Sequence, residues 1–505
     1  MTYFIEAVQI AFVPTHLLAL VLAVTVGLLV GMLPGLTATM AVALLTGLTF
    51  GFERDIAIIA LLGIYVGAVS GGCQAAILLN IPGTPASAAT AMDGYALNRQ
   101  GKAGLAIFIA TGASMLGTLI SVIFVLFLTP PLSRLGLEFQ SYEFFMLALF
   151  GIIICGSLAS NGDPLKGWMA GFLGLIISMV GLDPVSALPR FSFDMINLRG
   201  GLPLIPLMIA IFGFPEIVKV FGRQEKKESQ MSKFHVKEGA GLLKKHSPAI
   251  VRGGVIGTFI GIIPGVGEDI GGWLSYWSAK TFGKNKELFG KGNPEGVIAA
   301  EAGNNACVGG ALIPVLSLAV PGSTSAAVLL AAFFMHGYRP GPLLMGENPE
   351  FMYNVAVFLA LAAITMFFLA LLISRVTVKI LGIRVETLMP LIFVFCVIGS
   401  YLVRYIFFDV RVMFVFGFVG FLLVYAKFPA APLLLGMVLG QMAESNLIRG
   451  MLLSRGSITP FFTRPISLTF VIVCVILVAL QTPLVGVLKR KFGKKQEPVE
   501  ETGNE

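Results

Sequence analysis

Six apolar runs, at 12–33, 103–129, 203–222, 352–374, 385–403 and 466–488, recur from one end of this chain to the other. Each is long enough to cross a hydrocarbon layer about 30 Å thick. Only 12% of the 505 residues are charged, about half the share of a soluble domain, and mean hydropathy is +0.89. Inside a bilayer every backbone N–H and C=O must be satisfied within the protein, which leaves helices or closed barrels. A barrel would show short alternating segments, and the sequence has none. The fold class expected is an all-α polytopic membrane protein with roughly 10–14 crossings. The first run is longer than a signal-peptide core, follows no basic segment and lacks a small-x-small cleavage site, so it reads as a permanent span.

Charge sets the organisation. The net charge of +8 is concentrated rather than spread along a nucleic-acid surface. Seven basic and three acidic residues fall in "RQEKKESQMSKFHVKEGAGLLKK" at 223–245, and basic loops stay cytoplasmic. Four segments follow: a membrane half at 1–222, a cytoplasmic loop at 223–247, a second membrane half at 248–488 and a cytoplasmic charged tail at 489–505. The N-terminal "MTYFIEAVQ" carries no lysine or arginine and is expected outside.

Both halves break their own helices in the same order. "GMLPG" at 31–35 is matched by "GIIPG" at 261–265, and "LLNIPGTPASAATAMDGYAL" at 78–97 by "SLAVPGSTSAAVLLAAFFMHGY" at 317–338. Arg99 and Lys102 follow the first long motif, whereas the acidic "GENPE" follows the second. The halves then run in opposite senses, as two inverted-topology repeats with broken or re-entrant helices at Pro-Gly, a signature of secondary transporters. Broken backbone at membrane depth is tolerated where it is buried or lines a wet cavity.

A helix restarting after Pro-Gly offers free N–H groups and the positive end of its dipole. Beside those amides stand Asn80, Pro82, Gly83, Thr84 and Ser87 in one half and Pro321, Gly322, Ser323, Thr324 and Ser325 in the other, a donor set suited to a carboxylate. Carbonyls ending the preceding helix suit a sodium ion, and Asn304, Asn305 and Glu301 in "AAEAGNNAC" are the candidates for cation binding or coupling. The structural alternative is a Pro-kinked helix whose small residues allow close packing. Glu268 and Asp269 read as acids favouring a helix N-terminus, and Asp93 as a capping or turn residue near water. Five scattered cysteines and four histidines have no metal-ligand spacing, and no catalytic site or cofactor is expected beyond a transported sodium ion.

Taken together, "GMLPGLTATMAVALL", "GIYVGAVSGGCQAAILLNIPGTPASAATAMDGYAL" with "GKAGLA" behind it, "EGVIAAEAGNNACVGGALIPVLSLAVPGS" and "HGYRPGP" resemble the large membrane subunit of bacterial tripartite tricarboxylate transporters. The motifs cover roughly the first 110 residues and 250–345. The resemblance implies import of small carboxylates across the inner membrane by cation symport, usually sodium. It also implies two partners, a periplasmic substrate-binding protein and a small membrane subunit of about four helices. The chain departs from the family pattern in "SAKTFGKNKE" and in "GEDIGG" at 267–272, which is more acidic than the pattern. A carboxylate-permeable channel is the alternative function. A membrane-embedded enzyme is a weaker one, since no HExxH, GxSxG or GxxxxGK[ST] occurs.

Overall fold

The computed structural model describes residues 2–33, 35–159, 162–183, 185–220, 234–381 and 385–481. Among these residues are 22 α-helices and one two-residue antiparallel ladder, Gly181–Leu182 with Pro189–Arg190. Six helices have both the length and the hydropathy of a span: Pro14–Met32, Arg54–Leu79, Ala103–Leu137, Ser141–Leu158, Pro349–Thr377 and Phe407–Tyr425. The chain is an all-α polytopic membrane protein. Seven further apolar helices of 10–17 residues include the halves of the broken segments, so a count of crossings depends on how those halves are paired.

A helix that is apolar all round either faces lipid or lies inside the protein, and burial separates the two cases. The most apolar window of Arg54–Leu79 is 94% buried, against 28% for Phe407–Tyr425. Arg54–Leu79 is therefore a core helix, and Phe407–Tyr425 belongs to the lipid-facing rim. Pro294–Leu318 is the second core helix; every residue from Gly296 to Ser317 is buried, although Glu301, Asn304 and Asn305 sit in its middle.

Glycine decides how close the neighbouring helices come. Pro14–Met32 lies on the first core helix and Ser247–Ile262 on the second. A methyl group on Gly31 would sit 2.0 Å from the Ala68 carbonyl oxygen, and one on Gly261 would sit 2.6 Å from that of Cys307. Membrane helices without a hydrophobic driving force associate through such small-residue contacts.

The two halves are interleaved. Ala103–Leu137 runs along the second core helix, with Gly117 against the Ala302 carbonyl. Pro349–Leu381 runs along the first core helix. There the Gln74 side chain donates to the Ala370 carbonyl (3.2 Å) and accepts from the Thr377 hydroxyl (2.5 Å). Each long helix thus covers the core helix of the other half.

Part of the expected 223–247 loop, residues 223–233, lies outside the described residues, as do the 489–505 tail and Pro34 of "GMLPG". The described part of that loop holds the Val236–Lys245 helix, joined at His246 to Ser247–Ile262.

Candidate functional site

Both core helices end in the same unusual way. Asn80 and Ala319 follow their last residues in the left-handed conformation, at φ 55° and 57°. Alanine in that conformation costs about 1 kcal/mol or more. The side chain of Asn80 is exposed, and alanine does the same task in the second half. The structure therefore gives Asn80 the part of a C-cap. After each cap the chain doubles back through Pro-Gly along the helix it has just left. The Gly83 amide donates to Gly72 O and the Gly322 amide to Ala311 O, both at 3.4 Å and both eleven residues back. A methyl group on Gly83 would lie 2.2 Å from Gly31 O, and one on Gly322 1.9 Å from Gly261 O. Each long motif is thereby locked onto the "GMLPG" or "GIIPG" of its own half.

Doubling back carries the hydroxyls into the interior, where each break meets the other half. Thr84, Ser87 and Thr90 are buried, and the Pro85–Ser87 turn packs against Gly267–Phe282 and Pro294–Leu318. A methyl group on Gly272 would lie 3.1 Å from Ala86 O and 3.5 Å from Asn304 Cβ. Within this junction Thr84 Oγ1 and both polar atoms of the Asn304 amide are buried without a hydrogen-bond partner. Leaving such groups unsatisfied costs about 1–3 kcal/mol each, so each is a local sign of a polar ligand.

Glu301 is wholly buried one helical turn before Asn304. Its carboxylate accepts from the Thr90 hydroxyl, from Ser114 Oγ at 2.7 Å and from Asn305 Nδ2 at 3.3 Å. Asn305 Oδ1 accepts from Ser70 at 2.6 Å. Three helices thus meet at one acid, and Ser70 of a fourth reaches it through Asn305.

The second break is satisfied differently. Ser323 caps the Thr324–Met335 helix, its Oγ accepting from the Ala326 amide at 3.1 Å. Tyr65 from the first core helix reaches both the Ser323 hydroxyl (3.0 Å) and the Glu268 carboxylate. Thr39 joins Thr324 Oγ1 at 2.8 Å and Ser325 Oγ at 3.1 Å. Among the described residues no lysine, arginine or histidine makes an ion pair with Glu301 or Glu268.

Tyr65, Thr39, Ser70 and Ser114 were not singled out in the sequence. One signal was available: Thr111, Ser114, Thr118 and Ser121 recur at helical spacing and are all buried, a polar stripe on one face of an apolar helix. Asp93, expected as a capping or turn residue near water, is instead fully buried within the Ala88–Arg99 helix, because its carboxylate is taken up by partners from the other half. Its Oδ1 accepts from the amides of Gly290, Gly292 and Asn293, each at 2.8 Å, and its Oδ2 from the Tyr276 hydroxyl at 2.9 Å. It fastens the first break's helix to the loop that opens the second core helix.

An all-α membrane protein with two internal, hydroxyl-lined helix breaks and buried uncompensated carboxylates belongs to the class of membrane transport proteins. The particular family follows from comparison. The model of the tripartite tricarboxylate transporter TctA family matches residues 17–435, and the chain belongs to that family. It is a transporter subunit of a tripartite system, not an enzyme. The chain is 33% identical over 479 residues, 94% of its length and 95% of the relative's, to "Uncharacterized 52.8 kDa protein in TAR-I ttuC' 3'region" of Agrobacterium vitis. It is 35% identical over 227 residues to "Uncharacterized protein in TAR-II ttuC' 3'region" of the same organism, covering 44% of this chain and 94% of that one. No solved structure matches.

Proposed function

We propose that this chain imports a small carboxylate, a tricarboxylate or a related organic acid, by sodium symport, with the two breaks forming one site. The carrying observation is the buried junction of the first break with the second core helix, where Thr84 Oγ1 and the Asn304 amide are each without a partner and Glu301, one turn before Asn304, takes the Thr90 hydroxyl. The substrate carboxylate engages the amides and hydroxyls after Pro82-Gly83 and Pro321-Gly322, from Thr84, Ser87, Ser323, Thr324 and Ser325. Sodium engages Glu301, Asn304 and Asn305, whose oxygens suit a hard cation. A periplasmic binding protein delivers the substrate, and a small membrane subunit of about four helices completes the assembly in the bacterial inner membrane. The matched caps, glycine contacts and crosswise packing support an inverted repeat of 1–222 and 248–488, with the N-terminus periplasmic and the C-terminus cytoplasmic. Labelling a cysteine placed at position 230 from outside intact cells would contradict that topology.

Uptake by the reconstituted tripartite system under an imposed sodium gradient tests the reading. Concentrative uptake is expected; downhill equilibration alone would indicate a channel. Uptake driven by a proton gradient and indifferent to sodium would overturn the choice of ion.

The two hydroxyls are expected to behave unequally. Thr84 Oγ1 has no internal partner, so Thr84→Ala weakens substrate binding by roughly 1–3 kcal/mol with little effect on stability. Ser323→Ala brings a similar binding loss and in addition removes an N-cap, costing about 1 kcal/mol of stability. The double variant is non-additive in binding because the residues share a ligand. Calorimetric titration of folded variants with substrate, together with thermal melts, measures both. Additive binding losses would separate the two breaks into independent sites.

A further inference from the structure

A second buried acid remains outside this scheme. Glu268 is 7% exposed and sits in the first turn of Gly267–Phe282, in the "GEDIGG" stretch where the chain is more acidic than its family pattern. Its Oε1 takes the Tyr65 hydroxyl and, at 3.4 Å, the Ser323 hydroxyl. The titratable groups around it are Tyr65 on the first core helix, Asp269 next along its own helix and Cys307 on the second core helix. The Cys307 thiol is turned to Gly257 O at 3.0 Å and lies where a side chain on Gly271 would stand. None of these brings a positive charge.

A carboxylate in such a place needs a cation or a proton. Among the described residues the Glu268 carboxylate meets two hydroxyls and no side-chain amide, fewer oxygen donors than a hard cation gathers, whereas Asn305 stands beside the Glu301 carboxylate. From this geometry we propose that Glu268, Tyr65 and Ser323 form a proton-binding site at the second break, distinct from the Glu301 cluster. As a carboxylate, Glu268 holds the hydrogens of Tyr65 and Ser323. When it takes a proton from the aqueous phase it becomes a donor itself, and no other bond is made or broken. Ser323 Oγ can then accept from the acid while its own hydrogen turns away, free for a substrate oxygen. Its second acceptor position stays on the Ala326 amide, so the helix cap survives the change. Proton binding and carboxylate binding thus favour each other through one hydroxyl, and by linkage the effect is reciprocal. The coupling to substrate rests on the reading of the second break as part of the transport site; the protonation itself does not.

Infrared difference spectroscopy of the full chain in lipid vesicles, stepped in pH without sodium or substrate, reads the protonation directly. The expected result is a carboxylic-acid carbonyl band that appears as pH falls, is lost in Glu268→Gln and persists in Glu301→Gln. Tyr65→Phe, which deletes a donor to the carboxylate, moves its midpoint to higher pH by about one unit. An unchanged band in Glu268→Gln, or an unchanged midpoint in Tyr65→Phe, overturns the proposal; the second variant keeps the test decisive if the first does not fold. Adding substrate should move the midpoint up in wild type and leave it fixed in Ser323→Ala. A titrating band that substrate never moves would retain the proton site and refute its link to the transport site.

Discussion

Gly83→Val and Gly322→Val are each expected to abolish uptake while the chain remains inserted in the membrane. The reason is backbone proximity: a Cβ at these positions would lie 2.2 Å from Gly31 O and 1.9 Å from Gly261 O, and neither carbonyl is a flexible side-chain end that can swing aside. The returning strand must move away from its core helix, taking Thr84 or Ser323 with it. Even alanine is expected to be severe at both positions. Substrate and sodium binding to purified variants, normalised to folded protein by size-exclusion chromatography, separates the possibilities. Wild-type affinity for both ligands in both variants would make the breaks packing devices and nothing more. Equal severity in the two halves is part of the expectation, because the two contacts are equivalent.

The second large effect is placed on Glu301. Glu301→Gln preserves volume, and the Thr90 and Ser114 hydroxyls can rotate to accept from an amide as readily as they donate to a carboxylate. The fold is therefore expected to survive. Removing the buried negative charge should cost about 3 kcal/mol of sodium affinity, or about 100-fold. Sodium titration of the purified variant, followed by calorimetry or sodium-dependent protection from heat, gives the number. If sodium binds the variant as it binds wild type, Glu301 is a polar strut between helices and the coupling ion lies elsewhere.

How much of this was legible in the sequence depends on the range of the interaction. The membrane class, the broken helices and the paired Pro-Gly motifs were readable because their causes are local: hydrophobic length, a missing amide donor, a missing Cβ. The doubling-back at Gly83 and Gly322 was not, because it is fixed by the Gly72 and Ala311 carbonyls and by glycines in another helix. Asn80 looked like a ligand because an amide beside a Pro-Gly break suits one; its exposed side chain and left-handed backbone give it a capping part instead. Glu268 looked like a helix-dipole residue, which is true of its position. What the sequence hid was Tyr65, 203 residues earlier, arriving from the other half. Glu301 was harder still: its hydroxyl partners come from Thr90 and Ser114, two of many small polar residues in the chain.

The interleaving of the long helices has a consequence for biosynthesis. The Thr90 partner of Glu301 leaves the ribosome 211 residues before the acid does, a lag of about 10–40 s at ordinary rates of translation. During that interval the polar stripe from Thr111 to Ser121, which ends up buried, has no second core helix to cover it. Gln74 waits even longer, for a hydroxyl 303 positions downstream. The first half therefore enters the bilayer as an incomplete bundle with hydrophilic flanks turned toward lipid, the form that membrane quality control recognises. A truncated chain ending in the central loop is expected to be degraded rather than to accumulate as a half-transporter.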